Sequence, residues 1–155
     1  MVVERPVAEL MTSPLLSVRR ESPLQDAVQL MSDHHISGLA VLGEAGELVG
    51  ELSEQDLMVR ESGFDAGPYV MVLDAVIYLR NPLGWDKQVH QVLGYSVADV
   101  MRPHPHTIEA GASLRDAARL LHARSTQRLF VLQADGKPVG VLTRGDVVRA
   151  LAAAG

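Results

Sequence analysis

The sequence predicts an α+β fold: tandem β-α-β-β-α repeats packed face to face with pseudo-two-fold symmetry. Three observations predict it. First, sliding the chain on itself by 90 positions aligns Val7 to Leu57 with Val97 to Val147 without a gap. Met11 then meets Met101, Asp26 meets Asp116, Leu39 meets Leu129, Val41 meets Val131 and Gly50 meets Gly140. Self-similarity at one fixed offset marks a duplicated supersecondary unit. Second, each copy holds an apolar stripe of helical period followed by two short apolar runs around a turn. Third, a unit of about fifty residues with a three-stranded sheet leaves one apolar face wet, and pairing two copies buries both. Two related clefts at the seam follow from that pairing.

The elements follow in order. Each copy opens on a lead-in, Val7-Ala8-Glu9-Leu10-Met11 and Val97-Ala98-Asp99-Val100-Met101, and a short extended piece, Leu15 to Val18 and His106 to Ile108. In the first copy Ser22 is expected to cap a helix, with Pro23 at its first position and Gln25 at its third. Leu24, Ala27, Val28 and Met31 make its apolar stripe, matched by Leu114, Ala117, Ala118 and Leu121 behind Ser113. Strands are predicted at Leu39 to Leu42 and Leu48 to Leu52, and at Leu129 to Leu132 and Val139 to Leu142. Gly46 and the Asp135-Gly136 pair supply hairpin-turn chemistry between them. Closing helices are expected from about Glu54 to Arg60 and from Arg144 to Ala153.

These boundaries give a first repeat at 1–60, an inserted segment at 61–96 and a second repeat at 97–155. The insert breaks at Asn81-Pro82-Leu83-Gly84. Tyr69 to Leu79 reads as strand or helix, and Trp85 to Leu93 as a short helix. The segment is too apolar for a flexible linker and is expected to pack on the module or on another subunit.

Composition narrows the function. The 155 residues are 47% apolar and 21% charged, with a net charge of −5. Lys87 and Lys137 are the only lysines and no basic run exists, so a nucleic-acid surface is not expected. Without cysteine there is no disulfide, thiolate metal site or cysteine nucleophile. Met1 to Pro6 lacks the apolar core of a signal peptide, and Tyr69 to Leu79, interrupted by Asp74, falls short of the ~20 residues of a membrane span. A cytoplasmic protein with no membrane partner is expected.

Each copy closes on the same pattern, Gly50-Glu51-Leu52-Ser53-Glu54-Gln55-Asp56 and Gly140-Val141-Leu142-Thr143-Arg144-Gly145-Asp146. A strand ending at the leucine hands directly to a helix whose first turn holds the aspartate. A hydroxyl with an acid three residues on is a capping box, stabilising a helix by roughly 1 kcal/mol without any ligand. The same junction gathers a hydroxyl, a carboxylate and free N–H groups, which suits a nucleotide. Both roles remain open at this point.

The duplicated pattern, with its lead-ins, the Ile36-Ser37-Gly38-Leu39-Ala40-Val41 run and the two Gly-x-Leu-[Ser/Thr]-x-x-Asp closings, resembles the CBS-domain pair, or Bateman module, over nearly the whole chain apart from the insert. The resemblance implies adenosine-containing ligands, such as AMP, ADP, ATP or S-adenosylmethionine, bound in two clefts. It places the ribose of one on Ser53 and Asp56 and that of the other on Thr143 and Asp146. Ser17, Val18, Thr107 and Ile108 would add backbone and pocket contacts, and Ile36 to Leu39 and Thr126 to Leu129 would line base and phosphate, Ile36, Ser37 and Arg128 among them. Many members carry proline where this chain has Ala40 and Phe130, and Phe130 either stacks on a base or fills the pocket.

Arg124, Arg128 and Arg144 stand where the first copy has His34, Gly38 and Glu54. Arginine is the preferred bidentate partner of phosphate. The Thr143/Asp146 cleft is therefore expected to take a phosphorylated adenosine, and the Ser53/Asp56 cleft to bind more weakly or to prefer an uncharged or cationic ligand. His34, His35, His90, His104, His106 and His122 do not fall at zincin spacing, so no metal site is expected. No nucleophile elbow, P-loop or Gly-x-Gly-x-x-Gly is present, so no enzyme is expected. The chain reads as a regulatory ligand sensor that requires no cofactor, forms a homodimer and acts on an unknown effector protein. The alternative is a structural or dimerisation module whose motifs are caps alone.

Overall fold

The computed structural model describes residues 1–57 and 95–154. The readings for Tyr69 to Leu79, for Trp85 to Leu93 and for the end of the first closing helix lie outside those residues. The first copy forms β1 (Ser17–Arg19), α1 (Leu24–Asp33), β2 (Gly38–Leu42) and β3 (Leu48–Ser53), with helix at residues 54–57. The second forms β4 (Thr107–Glu109), α2 (Leu114–Ala123), β5 (Arg128–Leu132), β6 (Pro138–Thr143) and α3 (Arg144–Ala153). The sheets run β1-β2-β3 and β4-β5-β6.

In each sheet the first two strands are parallel, Ser17 facing Ala40 and Thr107 facing Phe130. Parallel neighbours need a crossover, which α1 and α2 provide. The hairpin turns hold glycine at φ 82° and 83°, at Gly46 and Gly136, where a side chain would be strained. Beside Gly136, the Asp135 carboxylate accepts from the Lys137 N–H at 2.9 Å and from Gln133 at 2.8 Å. The Lys137 amide, first among several favourable contacts, holds the Asp135 carboxyl below its usual range. That contribution is present at neutral pH and is lost as pH falls through the folded value.

The apolar stripes go inward, with two corrections. Leu24, Ala27, Val28 and Met31 are all buried, but in the second helix only Leu114, Ala117 and Leu121 are, while Ala118 is exposed. Ser22 does not cap α1. Pro23 is the N-cap, in the place that Ser113 takes on α2, and the Ser22 hydroxyl instead accepts from the Arg19 N–H at 3.1 Å. At φ −59° and ψ 139° Pro23 is still extended, so the helix starts one residue later than the serine-proline pair suggests. Its carbonyl, accepting from the Asp26 N–H at 3.0 Å, takes over the role of the missing hydroxyl. Ser113 does cap α2, accepting from the Asp116 N–H at 3.1 Å.

Packing groups the residues differently from the sequence repeats. Among the described residues one compact unit comprises 1–16, 45–48 and 104–154, and the other 17–44, 49–57 and 95–103. Each repeat body is thus completed by the lead-in of the other copy. In the first unit Val7 N–H donates to the Ala112 carbonyl at 2.7 Å, and Thr12 and Val141 exchange backbone bonds at 2.8 and 3.1 Å. In the second, Val97 N–H donates to the Ser22 carbonyl at 2.8 Å, and Arg102 and Glu51 exchange backbone bonds at 2.9 Å. Every one of these partners matches its counterpart at the offset of 90.

The repeated glycine permits this docking. A Cβ on Gly140 would stand 2.5 Å from Met11 Sδ and 2.9 Å from the Thr12 carbonyl oxygen, and one on Gly50 would stand 2.9 Å from both Met101 Sδ and the Arg102 carbonyl oxygen. Gly140→Val is expected to destabilise by about 1–3 kcal/mol, the usual range for overpacking. Urea denaturation measures it, and a loss below about 0.5 kcal/mol, ordinary for a surface substitution, would show that the lead-in is loosely held.

Candidate functional site

Strand alternation decides which predicted residues share a face. In the second sheet Arg128 faces Thr143, Phe130 faces Val141 and Thr107 faces Phe130. These five lie on one side. Leu129, Leu142, Ile108 and Val131 lie on the other, in the core with Leu114 and Leu121 of α2. The sequence pattern therefore brings Thr107, Arg128 and Thr143 together, while Ile108, 6% exposed, is a core residue. Val18 is the first-sheet counterpart of Ile108, paired with the fully buried Val41, whereas Ser17 pairs with Ala40.

Both closing motifs form complete capping boxes. The Asp56 Oδ2 accepts from the Ser53 N–H at 2.9 Å and the Ser53 hydroxyl at 2.8 Å, and the Ser53 Oγ accepts from the Asp56 N–H at 3.2 Å. In the second copy the Asp146 Oδ2 accepts from the Thr143 N–H at 2.9 Å, and the Thr143 Oγ1 from the Asp146 N–H at 3.1 Å. Both aspartates are 7% exposed. The carbonyl of Ser37 accepts from the Glu54 N–H at 2.9 Å, and that of Gln127 from the Arg144 N–H at 3.1 Å. The loop before the central strand, with Ile36 and Ser37, is in this way fastened to the helix start carrying the motif.

The second carboxylate oxygens distinguish the copies. Asp56 Oδ1 is ion-paired with Arg102 Nε at 2.5 Å, and Arg102 Nη2 reaches Glu51 Oε1 at 3.1 Å. Asp146 Oδ1 pairs with Arg149, one turn along α3, and accepts from the Thr12 hydroxyl at 3.3 Å. Thr12 and Arg102 are equivalent residues of the two lead-ins, and Glu51 is the equivalent of Val141. Local motif reading missed Thr12, Glu51, Arg102 and Arg149. The signal was present in the self-alignment, where Thr12/Arg102 and Val141/Glu51 change in the same sense, adding one cation and one acid to one unit.

The arginines expected at the phosphate have different positions. Arg144 donates from Nε to the Thr126 carbonyl at 2.8 Å and from Nη2 to the Leu121 carbonyl at 2.9 Å, satisfying carbonyls at the C-terminal end of α2. Helix capping accounts for it without a ligand. Arg128 is 6% exposed, in β5 opposite Thr143. Beside the motif, Arg5, Glu9, Leu10, Asp146, Arg149 and Ala150 are among the residues lining a cavity of about 620 Å³. Asp146 is the one sequence-predicted residue on its wall. Among the described residues no group of three or more His, Asp or Glu is placed to hold a metal ion, and no helix is long and apolar enough to cross a membrane.

Two β-α-β-β-α units, each closing on a hydroxyl–acid strand-to-helix junction, define a tandem-repeat α+β fold, and comparison with known proteins names it. The CBS domain model matches residues 7–63 and 97–153, and the chain belongs to the CBS domain family. The chloroplastic CBS domain-containing protein CBSX2 of Arabidopsis thaliana is 34% identical over 135 residues, 86% of this chain and 57% of that protein. Chloroplastic CBSX1 of the same plant is 33% identical over 150 residues, 93% and 63% of the two chains. The chain spans about three fifths of the length of these relatives. Among solved structures, CBSX2 in complex with AMP superposes with a TM-score of 0.68 at 32% identity, covering 96% of this chain and 97% of that one. The CBS domain of a CBS domain containing membrane protein from Sphaerobacter thermophilus reaches a TM-score of 0.78 at 24% identity, covering 96% and 89%, a likeness of fold.

Proposed function

We propose that this chain is a ligand-sensing regulatory module that binds an adenosine-containing ligand at the closing motif of its second copy and signals by a change of packing. The observation that carries the reading is the pair of hydroxyl–aspartate junctions, kept in a chain 32% identical to the solved CBSX2 in complex with AMP. A buried carboxylate accepts from both hydroxyls of a ribose, and such charge-assisted bonds contribute about 1.5–3 kcal/mol each. A cavity of about 620 Å³ against Asp146 has the size of a small-molecule site, and Arg5 and Arg149 on its wall favour a phosphate. AMP, ADP and ATP fit this better than S-adenosylmethionine, whose sulfonium carries the opposite charge. The ligand acts by binding one packing arrangement better than another.

A thermal-shift panel of AMP, ADP, ATP, S-adenosylmethionine and NAD tests the reading. A ligand at 100 times its dissociation constant adds about 2.7 kcal/mol to the unfolding free energy. The nucleotides are expected to raise the midpoint, and Asp56→Ala/Asp146→Ala to abolish the rise. A rise that survives the double substitution would move the site elsewhere.

A second reading, a dimerisation module that binds no nucleotide, is favoured by capping boxes that are complete without a ligand and by Val148 and Leu151, 64% and 48% exposed on α3. On that reading Val148→Glu/Leu151→Glu is expected to convert a dimer to monomers in sedimentation velocity. An unchanged mass would remove α3 from the interface.

A further inference from the structure

The two lead-ins put different chemistry on equivalent aspartates. In one unit Arg102 forks across two buried carboxylates, Nε on Asp56 Oδ1 at 2.5 Å and Nη2 on Glu51 Oε1 at 3.1 Å. The Glu51 and Asp56 side chains are 5% and 8% exposed and that of Arg102 is 54% exposed, so one half-exposed cation neutralises two buried acids. The arginine backbone is fixed as well, exchanging bonds with Glu51 at 2.9 Å in both directions. In the other unit the equivalent side chain is the neutral hydroxyl of Thr12, in long bonds of 3.3 and 3.4 Å to the Asp146 oxygens.

A ribose diol presents two O–H donors to the carboxylate. It can replace one hydroxyl donor by another at little cost, but not a guanidinium shared between two buried acids. Arg149, which also meets Asp146, differs from Arg102: its side chain, 72% exposed against 54%, reaches back along the surface of its own helix and meets one buried acid rather than two. Its first-copy equivalent in sequence is Val59; among the described residues each aspartate pairs with one arginine, and only that of Asp56 comes from a docked lead-in.

We propose that Arg102 is a built-in occupant of the first copy's sugar-binding carboxylate, so that Asp146 takes the ligand and Asp56 is latched. The proposal rests on the reading of these aspartates as ribose acceptors. It replaces the flanking Glu54 as the reason for unequal sites: the difference lies on a lead-in 46 residues beyond Asp56 in sequence. It also predicts that the latch is removable, since Val141 and Thr12 show what the same place looks like without it.

Calorimetric titration with AMP tests it. The wild-type chain is expected to bind a single equivalent, lost in Asp146→Ala and kept in Asp56→Ala. Glu51→Val/Arg102→Thr copies the second unit into the first. Exchange of a buried ion pair for apolar residues is often tolerated, so a folded protein is expected. It should bind two equivalents, with affinities within about tenfold of each other. Arg102→Gln, which keeps amide donors near both acids and removes the charge, should do the same and covers the case in which the pair exchange fails to fold. Cooperatively melting variants that still bind one equivalent, or a wild type whose AMP binding is lost in Asp56→Ala, would overturn the latch while leaving the ribose reading intact. No AMP binding by the wild type or any variant would refute the ribose reading, and the latch with it.

Discussion

Phe130→Ala is expected to lower the unfolding free energy by about 3–5 kcal/mol, the range for removing a buried aromatic side chain. The ring is 1% exposed, in the middle of β5, with Thr107 and Val141 as its register neighbours. The family resemblance allowed it two roles, a stacking platform for a base or a plug. A platform must present its face to the ligand, whereas a ring closed on all sides contributes through burial and dispersion. The structure makes it a plug, and the first copy manages the same place with the smaller Ala40, fully buried opposite Ser17. Phe130→Leu, which keeps most of the volume, should cost far less, under about 1.5 kcal/mol. Urea denaturation of both variants separates the cases. An alanine variant that loses less than about 1 kcal/mol, yet binds AMP tenfold more weakly, would restore the stacking role.

How far this architecture is legible in the sequence depends on the distance over which each feature is decided. Features set within a few residues were read closely. Gly46 and Asp135-Gly136 marked the hairpins because only glycine sits easily at their positive φ. Thr143 and Asp146 marked the start of α3, which spans Arg144–Ala153 as expected, because the capping box is local. Pro23 misled by one position because the serine before it looks like a cap, while proline at that φ and ψ leaves the chain extended. Features set across the sheet were partly lost. Thr107 and Ile108 are neighbours in sequence, yet register sends one to the Arg128 and Thr143 side and the other into the core. Arg144 has the right charge for phosphate, but the chain folds it back onto the carbonyls of Leu121 and Thr126.

Features set by docking of distant segments were not read at all. Sequence boundaries at 1–60 and 97–155 follow the duplicated pattern, whereas each compact unit takes its lead-in from the other copy. The contacts that individualise the two aspartates, Arg102 on one and Thr12 on the other, arise only from that exchange. Docking also explains why Gly50 and Gly140 open the repeated motif. A glycine there need not serve the ligand, since the lead-in backbone and the Met101 and Met11 sulfurs already occupy the space a Cβ would take.

Asp146→Ala is expected to act twice, and the two effects come apart when ligand is varied. Without ligand the variant loses the acceptor of the Thr143 N–H and a negative charge in the first turn of α3, where it complements the helix dipole. Loss of such a cap costs about 0.5–2 kcal/mol. With AMP at 100 times its wild-type dissociation constant, the wild type gains about 2.7 kcal/mol and the variant gains nothing, so the gap between them widens to roughly 3–5 kcal/mol. Asp146→Asn refines the test. Its amide oxygen still accepts from the Thr143 N–H, so the ligand-free loss should be small, but a neutral acceptor gives each ribose hydroxyl only about half the bond strength of a carboxylate. The asparagine chain should therefore melt near the wild type alone and well below it with AMP. Equal AMP-induced gains in wild type, alanine and asparagine chains would leave Asp146 a helix cap and nothing more.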